Sequence, residues 1–210
     1  MYAIFIKRGL DVSVSFLLLL ISSPVFILLT VMLWFDTRGK PFFTQIRPGK
    51  NERLFKLLKF RSMSDKKDKQ GNLLPDQLRL SQFGRFIRKT SLDELPQLIN
   101  VLKGDMSLIG PRPLLPRYLP FYRKEERIRH LVKPGISGWA QVNGRNSLGW
   151  DKRLALDVYY VDHLSFNLDC LILYKTIQNV FMAKDVIIDD NYDFCDLDKE
   201  RQLEQNTLLN

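Results

Sequence analysis

The sequence has almost no cysteine or histidine: Cys170 and Cys195 are its only thiols, His130 and His163 its only imidazoles. Two cysteines cannot build the disulfide framework of a small secreted domain, and no CxxC or paired Cys/His spacing offers zinc a site. A reducing compartment is the simpler setting. No internal repeat is visible, which argues against a repeat architecture. At 210 residues there is room for one core and a membrane element but not for two full domains.

Acid is also scarce, and it is unevenly placed. The formal charge is +9, yet residues 185–210 alone hold eight acids and two bases, which leaves thirty bases against fifteen acids in residues 1–184. A body that basic calls for a polyanionic neighbour: nucleic acid, anionic lipid head groups or a phosphorylated substrate.

Charge is missing altogether from residues 12–34, VSVSFLLLLISSPVFILLTVMLW. As a helix this run is about 34 Å long, enough to cross a hydrocarbon core of about 30 Å. It is long for a signal peptide, and Trp34, Phe35 and Asp36 follow it in place of a small-residue cleavage site. Three features trouble a simple span. Lys7 and Arg8 precede the run and Arg38 and Lys40 follow it, so both ends prefer the same side of a membrane. Ser23 and Pro24 interrupt its middle, where proline removes a helical hydrogen bond and the neighbouring serines can satisfy the freed carbonyl. Asp11 needs the interface or a partner such as Arg8. On these residues alone, re-entrant and spanning helices both stay open.

After the membrane run, residues 41–60 read as a Phe-rich hairpin around a Pro-Gly-Lys-Asn turn. Residues 64–76 are a charged loop, 78–90 a short basic helix and 91–104 a helix stopped at Gly104. A basic helix at 116–131, a turn at 133–138 and a long helical segment at 151–182 follow. The expected class is α+β, mostly helical with a small β-hairpin, in three parts: a membrane helix at 1–36, a basic cytosolic body at 37–184 and an acidic tail at 185–210, its least ordered part. The segments around 114–132 and 168–184 mix Leu, Phe and Tyr with Lys and Arg, so each is either a core-facing or an interfacial amphipathic helix. Trp139 and Trp150 suit a lipid interface or a stacked base or sugar.

The stretch TSLDELPQ (90–97) places Asp93 and Glu94 side by side in basic company. Ser91 and Glu94 match a capping box, but Pro96 then falls where a helix needs a donor; a later start frees the proline. A distorted first turn reconciles the two and can aim both acids at one cleft. As helix caps the acids need no further role. Their neighbours Lys59, Arg61, Arg85, Arg88, Lys89 and Arg112 suggest more. Bases keep a nearby carboxylate ionised, a hard cation such as Mg²⁺ takes one or two carboxylates plus phosphate oxygens, and arginine forks fit phosphate.

The blocks KFRSM (59–63), RKTSLDELPQLINVLKGDMSLIGPRP (88–113) and KPGISGWAQVNGR (133–145) resemble the bacterial sugar transferase family, the small monotopic phosphoglycosyl transferases. The similarity covers nearly everything from Lys7 to about Lys184. It implies transfer of a sugar-1-phosphate from a UDP-sugar to undecaprenyl phosphate, with release of UMP, at the cytoplasmic face of the bacterial inner membrane. It implies Asp93 as the nucleophile that carries a covalent phosphosugar, Glu94 as a Mg²⁺ ligand beside it, and a re-entrant helix broken at Ser23-Pro24. Arg112, Lys59 and Arg88 map to phosphate binding, as does Arg145. Asp157 has a supporting role, and the histidines are read as structural. The rival reading, a membrane-tethered module that binds anionic lipid or nucleic acid without catalysis, gives no use to the DE pair, Pro96 or GPRP. No nucleic-acid partner is expected.

Overall fold

The computed structural model describes residue 2 and residues 6–144, 148–181 and 196–208. Helix α1 runs from Lys7 to Asp36, 30 residues, and stays helical through Pro24. Pro24 has no N–H to offer Leu20. Ser23 Oγ takes that carbonyl instead at 2.8 Å, and Ser22 Oγ bonds the Leu18 carbonyl at 2.6 Å. The serines therefore perform the repair that their position suggested.

The two ends of α1 dock and its middle does not. At the N-terminal end, Lys7 pairs with Asp169 at 2.6 Å, and Arg8 donates to the Val101 and Leu102 carbonyls at 2.6 and 3.0 Å. Asp11 accepts from the Leu108 amide at 3.0 Å, so its partner is backbone rather than Arg8. Toward the C-terminal end, Leu29 and Leu33 are buried with Phe60 and Ile87, and Phe26, Phe42, Leu92 and Leu95 pack around them. Between these anchors Phe16, Leu20, Ile21 and Ile27 are each more than half exposed.

Strands β1 (Phe42–Pro48) and β2 (Leu54–Phe60) form the expected antiparallel hairpin, in register from Phe42 opposite Phe60 to Pro48 opposite Leu54. Short helices α2 (Asp76–Arg79) and α3 (Gln82–Lys89) lead to a 3₁₀ turn at Leu92–Glu94 and then α4 (Gln97–Lys103). Strands β3 (Ser107–Ile109) and β4 (Gly135–Ser137) pair in parallel, a contact the sequence reading did not anticipate. Helices α5 (Trp139–Val142), α6 (Trp150–Asp162), α7 (Phe166–Phe181) and α8 (Leu197–Leu208) complete the body.

Several expectations change. The basic helix at 116–131 is two 3₁₀ segments, Pro116–Phe121 and Glu126–Leu131, separated by the extended Tyr122. Pro116 stands at the first position, where no donor is needed, but Pro120 removes one inside the segment, which denies it a continuous α-helix. Its Tyr118 and Tyr122 join Leu114, Trp150 and Leu154 in a buried cluster, so this segment faces the core. Trp150 is therefore a core residue rather than an interfacial one. The segment at 151–182 is broken into α6 and α7 around His163. Within residues 185–210, α8 is docked: Leu197 is fully buried, and Arg201 bonds Glu126 at 2.7 Å and Asp151 at 2.6 Å.

Candidate active site

The two acids sit on a turn that the local sequence distorts. Ser91 adopts left-handed backbone (φ 56°) and its side chain caps nothing, so the capping box does not form. Such a conformation costs a non-glycine residue on the order of 1–3 kcal/mol. The chain then makes a single 3₁₀ turn, and Pro96 stands at the N-cap of α4, where its missing N–H costs nothing. Leu92 and Leu95, on either side of the acids, pack into the cluster built by Leu29, Leu33, Phe60 and Ile87. The C-terminal half of the apolar helix thus props the turn that carries the carboxylates.

Lys59, next to last on β2, reaches both acids: its Nζ lies 2.8 Å from Glu94 Oε1 and 3.6 Å from Asp93 Oδ2. Arg112 Nη2 meets the same Glu94 oxygen at 2.8 Å. The consequences for the neighbours are opposite. Burial works against ionisation of Glu94, but Arg112 and Lys59 outweigh it and hold this carboxyl far below its usual range. Burial pushes the Asp93 carboxyl up, only partly opposed by Lys59, and the negative Glu94 adds to the rise. Sequence reasoning expected the bases to keep both acids ionised. They serve Glu94 first because it takes the closer contacts.

Arg88 lines the same cavity at the end of α3, with Nε donating to Ser62 Oγ at 2.9 Å. Gly84 allows that approach, because a Cβ there would lie 2.0 Å from the Ser62 carbonyl oxygen. Arg112 is aimed by a tight backbone crossing. Gly110 N donates to the Ser137 carbonyl at 2.9 Å and Gly135 N to the Pro111 carbonyl at 3.0 Å. A Cβ on Gly135 would fall 2.1 Å from the Gly110 amide nitrogen. The blocks GPRP and KPGISG are thus halves of one contact. Beneath it, Arg129 bonds the Arg112 carbonyl at 2.7 Å and Asp157 at 2.8 Å. Asp157 is therefore placed under Arg112, three contacts from Glu94.

The cavity, about 930 Å³, joins unlike walls. One carries Asp93, Glu94, Lys59, Arg88 and Arg112, together with Arg47, Arg129 and Arg153, which the sequence reading did not single out. The other is largely apolar, built by Leu10, Val14 and Leu18 of α1 and by Leu173 and Val180 of α7, with the paired Lys7 and Asp169 and with Asp11 on the same helices. Neither histidine is among its lining residues. Arg47 carried a signal that could have found it: two residues from Gln45 on a strand, it shares that residue's face. Arg145 lies outside the described residues. Ser23 and Pro24 lie in the exposed middle of α1.

Asp93 accepts no hydrogen bond among the described residues, and Glu94 uses Oε1 for both of its cations, leaving Oε2 unengaged. Among the described residues no third Asp, Glu, His or Cys joins them as a metal cluster. Two adjacent carboxylates with unused oxygens fit a hard cation that fills its remaining positions with phosphate and water oxygens.

A family model described as bacterial sugar transferase matches residues 2–183. The uncharacterized sugar transferase EpsL of Bacillus subtilis (strain 168) is 52% identical over 182 residues, which is 86% of this chain and 90% of EpsL. The UDP-N-acetylgalactosamine-undecaprenyl-phosphate N-acetylgalactosaminephosphotransferase of Aeromonas hydrophila is 41% identical over 84% of this chain and 44% of its own length. The undecaprenyl-phosphate glucose phosphotransferase of Komagataeibacter xylinus is 40% identical over 85% of this chain and 36% of its own length. The chain thus spans less than half of the latter two relatives.

Proposed function

The chain belongs to the bacterial sugar transferase family, and from that premise we propose that it moves a sugar-1-phosphate from a UDP-sugar to undecaprenyl phosphate at the cytoplasmic face of the bacterial inner membrane, in two steps through Asp93. One observation carries this reading: a buried carboxylate that accepts no hydrogen bond among the described residues, Asp93, faces a cavity with a cationic wall and a largely apolar wall. The cationic wall suits a diphosphate, the apolar wall an isoprenoid chain. The relatives from Aeromonas hydrophila and Komagataeibacter xylinus, whose names contain undecaprenyl-phosphate, support the acceptor class.

In the first step an Asp93 oxygen bonds to the sugar-linked phosphorus. The bridging oxygen leaves with the electron pair as part of UMP, and Lys59 and Arg112 neutralise phosphate charge that would otherwise repel the Asp93 carboxylate. In the second step an oxygen of the lipid phosphate attacks the same phosphorus and the carboxylate is regenerated. That oxygen is already ionised, so no general base is required. Glu94 and Asp93 would hold Mg²⁺, which when bound supplies further neutralisation of phosphate oxygens.

The membrane arrangement follows from α1. Its uncharged, exposed middle enters lipid while both docked ends rest on the same body, which favours re-entry over a span. Helix α7 exposes Phe166, Leu173, Tyr174 and Ile177 and lies in the interface beside it. The test is intact-mass measurement of enzyme incubated with a UDP-sugar and no lipid. The expected result is an adduct of one phosphosugar on the wild type and none on Asp93→Asn; its absence from the wild type overturns the two-step reading.

A further inference from the structure

Arg47 lies on β1 opposite Phe55, on the hairpin face that also carries Lys59, and Lys59 follows Phe55 by four residues on β2. The two cations are therefore about 13 Å apart along the ladder. Lys59 is committed to Asp93 and Glu94. Arg47 is committed to no acid among the described residues. Its Nη2 donates to Gln45 Oε1 at 2.6 Å and its Nη1 to the Pro113 carbonyl at 3.3 Å, while its buried Nε has no hydrogen-bond partner among the described residues. Burial, with repulsion from Arg112, pushes its pKa down to about 10. Arg153 lines the same cavity and is likewise pushed down by burial, although Asp157 opposes the shift.

A desolvated guanidinium bonded only to neutral groups, next to a second guanidinium, is unfavourable for the protein alone. An anion between them removes the penalty, and the idle Nε–H can donate to it. Arg47 pairs with neither acid of the dyad and stands about 13 Å from Lys59 along the hairpin, so its charge is not needed to balance Asp93 or Glu94.

We propose that Arg47, with Arg112 and Arg153, forms a pocket for a phosphate monoester that holds first the departing nucleoside monophosphate and then the phosphate of the lipid acceptor. The inference rests on the two-step reading above. The bond from phosphorus to the nucleotide oxygen breaks on the side opposite Asp93, and that oxygen keeps the electron pair as part of a monoester dianion. The acceptor must then enter on the vacated side for the Asp93–phosphorus bond to break in line. UMP and a polyprenyl phosphate present the same monoester group, so one arginine pocket serves both in turn.

Calorimetric titration of full-length enzyme in detergent tests this without turnover, with UMP and a short-chain polyprenyl phosphate as probes. In Arg47→Gln both affinities fall about tenfold or more, the scale of one charge-assisted contact, while uridine binding and the melting temperature hold. An Arg47→Gln protein that melts like wild type and binds either phosphate ester with unchanged affinity overturns the shared pocket. Should the variant not fold, the wild type still decides: UMP and the lipid phosphate must compete, and simultaneous binding overturns the proposal. A wild type that forms no phosphosugar adduct defeats the aspartyl reading instead, a result separate from these affinities.

Discussion

Two carboxylate–arginine centres lie in one cavity and are built differently. Asp157 and Arg129 are matched one to one, joined at 2.8 Å with side chains 3% and 2% exposed. At the 3₁₀ turn the stoichiometry is open: Glu94 holds two cations, Asp93 accepts no hydrogen bond among the described residues, and Arg112 is 43% exposed toward the cavity. A closed pair has no charge left for a substrate and fixes geometry. An open centre has unmatched groups, and unmatched groups do chemistry.

Breaking the open centre at Asp93 has the largest expected effect. Asp93→Asn should lower sugar-phosphate transfer by roughly 10⁴-fold or more, about 5.5 kcal/mol of barrier, while membrane association, followed by flotation with vesicles, stays intact. Breaking the closed pair shows up in folding. Asp157→Asn leaves Arg129 buried without its partner and should cost about 3–5 kcal/mol of stability, read from denaturant melts in detergent. Because Arg129 also holds the Arg112 carbonyl, activity should fall with it. Glu94→Gln should reduce turnover by roughly 100-fold, about 2.7 kcal/mol, without a comparable loss of stability. Activity lost in EDTA and restored by Mg²⁺ checks the metal assignment at the same residue.

The smallest effect is in pH dependence. In the proposed two-step reading Asp93 must be ionised to attack, and burial raises its pKa. The acid limb of kcat/KM should therefore lie above the range of an ordinary aspartate, near 3.9, with activity rising as pH rises through it. Lys59→Gln removes the cation that opposes this shift and should move the limb further up. A limb at or below 4 in the wild type would show that Asp93 is not desolvated in the working enzyme.

Much of this was legible before any coordinates. The hairpin followed from Phe-rich alternation around a turn, and the long apolar helix from an uncharged run. The distorted turn at Asp93 came from the conflict between Ser91 and Pro96, since one segment could not satisfy both caps. The parallel pairing of β3 and β4 was hidden because three-residue strands carry no period and their glycines serve a long-range crossing. The segment at 116–131 was misread because its basic amphipathic pattern outweighed two prolines. Arg47, Arg129 and Arg153 escaped notice because a basic chain offers too many arginines for composition to rank.

The sequence by itself determined which groups are available: a carboxylate pair on a strained turn, blocks of phosphate-fitting bases, and an uncharged helix mended by Ser22 and Ser23 at its proline. Those are local matters of backbone donors and side-chain type. Only the tertiary structure decided how charge is apportioned among them. Distances fixed at packing give Lys59 and Arg112 to Glu94, pair Asp157 with Arg129, and leave Asp93 and Arg47 without ionic hydrogen bonds among the described residues, at separate places in one cavity. Coulomb interaction and desolvation depend on separation and burial, and neither is written in residue order.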